Sequence, residues 1–177
     1  MTVGERLPLN APIHLSPYDP EWPRLYEAQA ALVRAALGAR VLGLEHVGST
    51  SVPGLIAKPI IDMQLVVADS AREEAYLADL EAAGFVLRIR EPDWWEHRMF
   101  RRASPAVHLH VFSDQCPETL RVLAFRDHLR RHEADRRLYE GAKRALAARV
   151  WKDMQNYADA KTTVIEQILS RALAEEG

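Results

Sequence analysis

The sequence predicts an α+β fold, in which a β-sheet is flanked by helices and followed by a C-terminal helical region. Short apolar stretches bounded by Gly, Pro and polar residues, which are typical of strands, occur only before residue 117. After that point the sequence contains three helical patterns with short joints and no further strand signal. Strands first and helices last is the order typical of an α+β domain.

The N-terminal two thirds of the chain predict one long helix and a series of strands. Apolar residues recur at three- and four-residue steps from about Glu21 to Leu37, and Gly38 supplies a C-cap. A second helix is predicted from Asp69 or Ser70 to Ala83, where Gly84 stops it. The predicted strands are a short edge strand at Ile13–Leu15, then Val41–Val47, Lys58–Val67, Phe85–Ile89, His97–Arg102 and Val107–Ser113, the last two forming a hairpin.

The remaining third of the chain predicts helices at Glu118–Arg131, Glu133–Val150 and Asp153–Ala174. A length of 177 residues suits one domain with a sizeable core. We therefore expect a single domain over residues 1–177, with an α/β core at 13–116 and a helical extension at 117–177.

The composition excludes several classes of protein. A formal net charge of −2 gives no overall field that would attract nucleic acid, so any site for a polyanion must be local. The single cysteine, Cys116, excludes an internal disulfide and a cysteine-cluster zinc site. The sequence also shows no signal peptide and no apolar run long enough to cross a bilayer. We expect a cytoplasmic protein without a membrane partner.

The stretch from Leu44 to Val67 is central to the functional prediction. In it an apolar strand ends in a turn of small residues, and a second apolar strand follows. Gly48 allows a bound group to approach the backbone, and the next three residues supply hydroxyls and amides that can hold an anion. A P-loop is excluded, because Gly54 is followed by Leu55 and the lysine comes too late. The turn therefore predicts a phosphate-binding site of a different kind.

These residues resemble the GrpB family, a group placed in the nucleotidyltransferase superfamily. The resemblance covers nearly the whole chain and rests on the following segments: Tyr18–Trp22, His46–Leu55, Ala57–Asp62, His108–Phe112, Phe125–Arg130 and the pair Tyr157 and Lys161. It implies a nucleotidyltransferase-like mixed β-sheet with helices on its faces. In that superfamily a Gly-Ser turn precedes an acidic strand that holds a catalytic metal.

Asp62 is the first candidate for a catalytic and metal-binding residue. It interrupts an apolar strand, where an unpaired carboxylate is costly, so it needs a cation or strong donors. The alternative is a structural acid paired with an arginine. Gln64 is the main departure from the family pattern implied for active enzymes, in which a second carboxylate two residues later shares the same strand face and helps to hold Mg²⁺. Its neutral amide puts two-metal nucleotidyl transfer in doubt.

His108 and His110 are candidate metal ligands, because alternation on a strand places both imidazoles on one face. If that face meets Asp62, two nitrogens and one carboxylate form a transition-metal site that is softer than a Mg²⁺ site. The expected cofactor is a divalent metal, namely Mg²⁺, Mn²⁺ or Zn²⁺. The alternative is a half-exposed strand whose polar residues happen to be histidines. His46 and His97 are possible further neighbours that spacing does not rank.

Candidate phosphate- or nucleotide-binding residues come from the turn and from the helical region. The turn supplies Gly48, Ser49, Thr50 and Ser51, and Lys58 follows with a positive charge. The resemblance adds Arg126, Arg130, Tyr157 and Lys161, because the C-terminal helices of nucleotidyltransferases often cover the nucleotide. The alternatives are a solvated Lys58 and a network of salt bridges between the arginines and Asp127 or Asp159.

Two functions follow from the sequence and the resemblance. The first is a metal-dependent nucleotidyltransferase that acts on a nucleoside triphosphate and an unknown small-molecule or protein acceptor. The second is a degenerate nucleotidyltransferase-fold module that binds a nucleotide or another phosphorylated ligand without catalysis. A similar domain is fused to dephospho-coenzyme A kinase in some bacteria, which suits either function. A weaker third hypothesis is a metal hydrolase that uses Asp62 with the two histidines.

Overall fold

The computed structural model describes residues 1–3, 13–149 and 154–175, with side chains for 1–3, 13–149 and 161–174. The elements in chain order are α1 Trp22–Leu37, β1 Gly43–Val47, β2 Ile61–Val67, α2 Leu77–Ala82, β3 Val86–Glu91, β4 His97–Arg102, β5 Val107–Ser113, α3 Pro117–Arg131, α4 Glu133–Ala147 and α5 Met154–Glu175. Short 3₁₀ turns lie at Gly38–Arg40, Ser49–Ser51 and Glu73–Ala75.

The five strands form one mixed sheet in the order β1-β2-β5-β4-β3. β2 and β5 run parallel, whereas the β1–β2, β4–β5 and β3–β4 pairs are antiparallel. This arrangement confirms the predicted α+β class and the predicted hairpin of the last two strands. α3 begins at the residue where the helical extension is expected to start, and the division of the chain into core and extension stays a prediction.

Three predicted elements are wrong in the N-terminal part of the chain: the edge strand at residues 13–15, the start of β2 and the helix from residue 69 or 70. Residues 13–15 form no edge strand, because the backbone there makes only an isolated bridge, between Ser16 and Ala57. β2 begins at Ile61 rather than Lys58, since Pro59 has no N–H for the ladder.

The predicted helix from residue 69 or 70 is replaced by a 3₁₀ turn and the shorter α2. Ser70 is held outside a helix because its backbone N–H donates to Ser113 Oγ and its hydroxyl donates to the Glu96 carbonyl.

The sheet buries one face in the main core. Leu44, Met63, Leu65, Phe100 and Leu109 point to this face and are at most 8% exposed. They pack with residues of α1 and α2, such as Trp22, Val33 and Leu80. Because side chains alternate along a strand, the intervening residues of β2 and β5 point to the opposite sheet face.

The C-terminal helices cover part of that opposite face. A second apolar cluster joins Val52 and Leu55, which follow the 3₁₀ turn at residues 49–51, to Leu129 of α3, Tyr139 of α4 and Ile168 of α5. This packing fixes the turn against the helices. None of the helices within the described ranges is long and apolar enough to span a membrane.

A buried acid connects the three C-terminal helices. Asp135 at the start of α4 accepts a hydrogen bond from His128 Nε2 of α3 at 2.7 Å, and it also accepts one from Arg171 of α5. Burial alone would raise the pKa of the Asp135 carboxyl, but the hydrogen bond from His128 and the charge of Arg171 hold this pKa below its ordinary value. The ion pair is therefore part of the packing of α3, α4 and α5.

We predict that Asp135→Asn lowers the free energy of unfolding by about 1–3 kcal/mol at pH 7, because the variant leaves His128 and Arg171 without their anionic partner. The lowered pKa means that this stabilisation is complete above about pH 4 and is lost as the pH falls through the folded-state pKa. Denaturant titrations at several pH values measure the free energy of unfolding of both proteins. The difference between wild type and variant should shrink below pH 4.

Asp79→Asn is the matched control. Asp79 pairs with Arg40 at 2.7 Å, but both side chains are about half exposed, at 50% and 45%. A surface ion pair of this kind contributes less than about 1 kcal/mol. An equal loss of stability in both variants would contradict the role assigned to Asp135.

Candidate functional site

Asp62 lies between two histidines on the sheet face opposite the main core. Its Oδ1 is 3.6 Å from His108 Nδ1 and 3.6 Å from His110 Nε2. One potential ligand atom from each of the three residues lies within 4.8 Å of the other two. The three side chains remain 27–31% exposed, so a solute can reach them.

The sheet register brings these residues together. β2 and β5 run side by side, with Asp62 level with His108 and Gln64 level with His110. Residues at the same level on neighbouring strands point to the same face, and the two-residue repeat of a strand puts His110 on that face as well. The sequence prediction that Asp62, His108 and His110 share one face is therefore confirmed as geometry.

The backbone of Gly48 lies very close to the side chain of Asp62. Its φ of 71° and ψ of −176° lie in a region that only glycine adopts without strain. A Cβ at this position would lie 2.5 Å from Asp62 Oδ2 and 2.9 Å from Asp62 Cβ. A side chain at residue 48 would therefore displace the carboxylate.

The electrostatics of the site favour a charged Asp62. Burial would raise its pKa, but the neighbouring side chains of His110, His108 and Lys161 together lower it. The pKa of His108 is lowered, mainly because burial disfavours the charged imidazole, although Asp62 opposes this effect. A neutral imidazole beside a carboxylate is the protonation state that binds a metal.

A chain of hydrogen bonds extends behind His110. His97 Nδ1 lies 2.7 Å from Glu91 Oε2, and His97 Nε2 lies 3.0 Å from His110 Nδ1. A carboxylate can only accept, so His97 donates from Nδ1 and accepts at Nε2, which makes His110 Nδ1 the donor. With one proton on the ring, at Nδ1, the His110 nitrogen that faces Asp62 carries a lone pair opposite an anionic oxygen. A proton or a metal ion between them satisfies both groups.

The turn after β1 holds its hydroxyls in three different ways. Ser49 accepts a hydrogen bond from Lys143 Nζ at 2.7 Å. Thr50 is buried and its Oγ1 lies 2.9 Å from His46 Nε2. Ser51 is also buried and donates back to the Gly48 carbonyl at 2.5 Å. Thr50 and Ser51 thus shape the turn, and their predicted contacts with phosphate stay predictions.

Three lysines lie within electrostatic range of Asp62. Burial, reinforced by the nearby charge of Lys161, lowers the pKa of Lys58 to about 8 and that of Lys143 to about 7. The pKa of Lys161 is also lowered, again mainly by burial. Asp62 opposes the shift at each of the three lysines. The site therefore concentrates basic groups in a chain whose net charge is −2.

Two arginines of α3, Arg126 and Arg130, bind the backbone of β1 and of the turn that follows it. Arg126 donates to the His46 carbonyl at 2.9 Å and pairs with Glu45 and Asp127 at 2.8 Å. Arg130 donates to the Ser51 carbonyl at 2.9 Å. Both form ion pairs with Asp127, as one of the sequence alternatives supposes. Their roles in nucleotide binding stay predictions.

Tyr157 lies on α5, and its side chain lies outside the described residues.

Gln64 lies on the same face as Asp62 but does not join it. Its side chain is 2% exposed, and its Nε2 donates to the Thr119 carbonyl of α3 at 3.3 Å. Its Oε1 is buried without a hydrogen-bond partner among the described residues. Gln64 therefore packs beneath α3 and does not supply a second anionic ligand beside Asp62.

A cleft of about 330 Å³ opens beside the acid. Asp62, Gly48, Ser49 and Lys161 line its polar end. The C-terminal helices supply most of an apolar wall that contains Val52, Phe125, Leu129, Tyr139, Ile165 and Leu169. Arg126 and Arg121 also reach the cleft. It can hold a ligand with an anionic group at one end and an apolar or aromatic part at the other.

A larger hollow of about 500 Å³ lies away from these groups, on the outer side of α4. Its charged lining includes the i,i+4 pairs Arg137–Glu133 and Arg144–Glu140, in which the arginines are largely exposed. We interpret it as a solvated helix face.

Sequence reasoning did not single out Lys143 or Glu91, and it could not rank His97. Lys143 and Ser49 are 94 residues apart in the chain. The only local signal is a lysine four residues after Tyr139, on a helix that carries six other charged residues. His97 reaches His110 across a hairpin, and spacing alone does not fix which face its side chain takes.

The family assignment rests on comparison with known proteins. A family model described as GrpB protein matches residues 12–171. The chain belongs to the GrpB family. A UPF0157 protein of Halalkalibacterium halodurans is 53% identical over 174 residues, which cover 98% of this chain and 89% of that protein.

A crystal structure of conserved protein GrpB from Enterococcus faecalis has a TM-score of 0.81 and 31% identity to this chain, covering 92% of this chain and 99% of that one. This similarity agrees with the nucleotidyltransferase-like α+β fold. A protein named dephospho-CoA kinase, from Mycolicibacterium paratuberculosis, is 29% identical over an alignment that covers 92% of this chain and 46% of that protein.

We predict that Gly48→Ala in this GrpB protein costs about 1–3 kcal/mol of stability, because alanine is strained in the observed backbone conformation and collides with Asp62. Guanidinium unfolding monitored by circular dichroism measures the loss.

Gly141→Ala is the control for this substitution. Gly141 is exposed within α4, and an added Cβ there meets nothing within 4 Å. This variant should gain about 0.5–1 kcal/mol, because alanine is the better helix former. Equal stability of the two variants would contradict the close approach of residue 48 to the acid.

Proposed function

We propose that this GrpB protein is a metal-dependent nucleotidyltransferase, which moves a nucleotidyl group from a nucleoside triphosphate to a hydroxyl of an unidentified small-molecule or protein acceptor. The observation that carries the proposal is the position of Asp62, with its two histidines, directly against the Gly48 turn at the polar end of a cleft. A carboxylate beside a Gly-Ser turn is the arrangement that nucleotidyl transfer uses.

The donor set of Asp62, His108 and His110 fits a divalent metal. The separations of 3.6 Å between ligand atoms are close to the edge of about 3.4 Å expected for tetrahedral nitrogen and oxygen ligands. Two imidazole nitrogens favour Mn²⁺ or Zn²⁺ over Mg²⁺. When bound, such an ion would polarise a phosphoryl oxygen.

The phosphates would meet basic groups from two parts of the chain. Lys58 precedes β2 and Lys161 lies on α5, and both are electrostatically coupled to Asp62. Burial lowers the pKa values of both lysines, and the charge of Lys161 lowers that of Lys58 further. An anionic ligand would offset both causes. Lys161 also lines the cleft, so it can bind a phosphate whose attached group lies along the apolar wall.

A second function is favoured by Gln64. Its amide is buried under α3 and leaves Asp62 as the sole carboxylate among the three candidate ligands. A fold that has lost one acid can still bind a phosphorylated ligand without transferring it. The relative named dephospho-CoA kinase suits a phosphorylated ligand in either case.

We predict that the purified protein releases pyrophosphate from at least one of the four common nucleoside triphosphates in the presence of Mn²⁺, Zn²⁺ or Mg²⁺. Asp62→Asn should reduce the release at least about 100-fold, because the variant loses the anionic metal ligand. A coupled pyrophosphate assay, with a panel of hydroxyl acceptors, measures the rate.

Asp93→Asn is the control, since Asp93 is exposed in the turn between β3 and β4. Nucleotide binding without pyrophosphate release would favour the binding module and discard the enzyme. Absence of both binding and release would overturn both functions.

We further predict that Glu91→Gln or His97→Gln weakens binding of Mn²⁺ or Zn²⁺ about 10- to 100-fold. The hydrogen-bonded chain from Glu91 through His97 presents the free lone pair of His110 to the site, and such outer partners of metal ligands typically contribute this much affinity. Isothermal titration calorimetry with the metal alone measures the affinity of each variant.

His14→Gln, at an exposed position, should bind metal as wild type does. Glu91 is 44% exposed, so its variant should fold even if the substitution of buried His97 does not. Unchanged affinity in a folded Glu91→Gln variant would show that the chain has no part in metal binding.

A further inference from the structure

Lys143 and Ser49 form a pair that the proposed metal and phosphate contacts do not use. Lys143 projects from α4 and its Nζ lies 2.7 Å from Ser49 Oγ and 2.7 Å from the Ile56 carbonyl oxygen. The lysine is 4% exposed. Ser49, in contrast, is only half buried and lines the cleft that contains Asp62. A buried amine thus touches a hydroxyl that a ligand can reach.

The contacts of Lys143 suit a neutral amine. Such an amine has two N–H donors and one lone pair. A carbonyl oxygen only accepts, so Ile56 takes one N–H of Lys143. Lys143 donates to Ser49 Oγ when it is charged, and once it is neutral its lone pair can instead accept the hydrogen bond from the Ser49 hydroxyl. Burial is the main reason that the pKa of Lys143 falls to about 7, so a large fraction of the amine is neutral near neutral pH.

Of the three hydroxyls in the turn, only that of Ser49 combines a base with access to the cleft. The Thr50 hydroxyl is bonded to His46, and that of Ser51 donates to the Gly48 carbonyl. Both residues are at most 4% exposed. Ser49 also follows Gly48, which packs against the Asp62 carboxylate.

We propose that Ser49 is a nucleophile with Lys143 as its general base, so that the protein forms a covalent nucleotidyl-serine at residue 49. This inference rests on the proposed function, because it needs a nucleoside triphosphate in the cleft. A serine activated by a lysine is a known alternative to a serine activated by a histidine.

The step balances without any further reactant. Ser49 Oγ forms a bond to the α-phosphorus, and the bond from that phosphorus to the α,β-bridging oxygen breaks. Pyrophosphate leaves with the bonding electron pair, and the hydroxyl proton passes to Lys143 Nζ. The oxygen of a hydroxyl acceptor or of water then forms a bond to the α-phosphorus, and the bond from that phosphorus to Ser49 Oγ breaks. Lys143 gives its proton back to the serine oxygen, and the proton of the acceptor passes to solvent.

The test is to incubate the full chain with each of the four common nucleoside triphosphates and Mn²⁺, and to follow the intact mass. We expect one nucleoside monophosphate per chain, which peptide mapping places on Ser49. Ser49→Ala should abolish the adduct, and Lys143→Met should slow its formation at least about 100-fold. The wild-type rate should rise with pH until Lys143 is neutral and then level off, a profile that a purely structural lysine would not produce.

Matched controls are Ser170→Ala and Arg144→Met. Ser170 is exposed on α5, and Arg144 is the neighbour of Lys143 on α4 but pairs outward with Glu140. Both variants should form the adduct at the wild-type rate. If Lys143→Met does not fold, the Ser49→Ala variant and the pH profile decide.

Two negative results are distinguishable. Pyrophosphate release to an added acceptor, with no adduct in the wild type and undiminished turnover in Ser49→Ala, overturns the covalent step and leaves the proposed transferase standing. No adduct and no pyrophosphate with any triphosphate overturns both. An adduct on a residue other than Ser49 also overturns the assignment.

Discussion

The parallel pairing of β2 with β5 is the constraint on which the rest of the structure depends. It places Asp62 level with His108 and Gln64 level with His110, so that a single register determines the contents of the site. A slip by one residue would turn the polar residues into the main core and expose Met63 and Leu109, which are fully buried. The same hydrophobic burial that stabilises the sheet therefore holds the acid and the two histidines together.

The turn at residues 48–51 contacts the sheet through a close backbone approach, and the C-terminal helices contact the turn through hydrogen bonds. Gly48 has no side chain and so lets the backbone lie against Asp62. Lys143 and Arg130 then bind the turn from α4 and α3, through Ser49 and the Ser51 carbonyl respectively. These hydrogen bonds connect residues that are 94 and 79 positions apart in the chain. Movement of the helices would therefore alter both the cleft and the position of Ser49.

Much of the fold could be predicted from the sequence, because the strands of the sheet and the long helices have strong apolar patterns. The shared face of Asp62 with His108 and His110 followed from alternation along two strands. Contacts made over long sequence separations could not be predicted in the same way. Lys143 has an ordinary helical context, and only the packing of α4 against the turn buries its amine. The arginines of α3 belong to recognisable segments, but sequence did not reveal that they hold backbone carbonyls as well as carboxylates.

Gln64 stands where the resemblance to nucleotidyltransferases implies a second acid, and the groups around residue 64 and Asp62 suit a neutral side chain there. A carboxylate at residue 64 would lie 2% exposed beneath α3, at the Thr119 carbonyl, where a negative charge would face another acceptor. Lys58 and Lys161 are coupled to Asp62 instead, and in their charged form they would repel a second divalent cation. In the proposed enzyme, these amines would take over from a second metal the task of stabilising charge on the phosphates. The two imidazoles of the proposed metal site add no negative charge to that of Asp62, which in this proposal suits one transition-metal ion with an anionic ligand beside it.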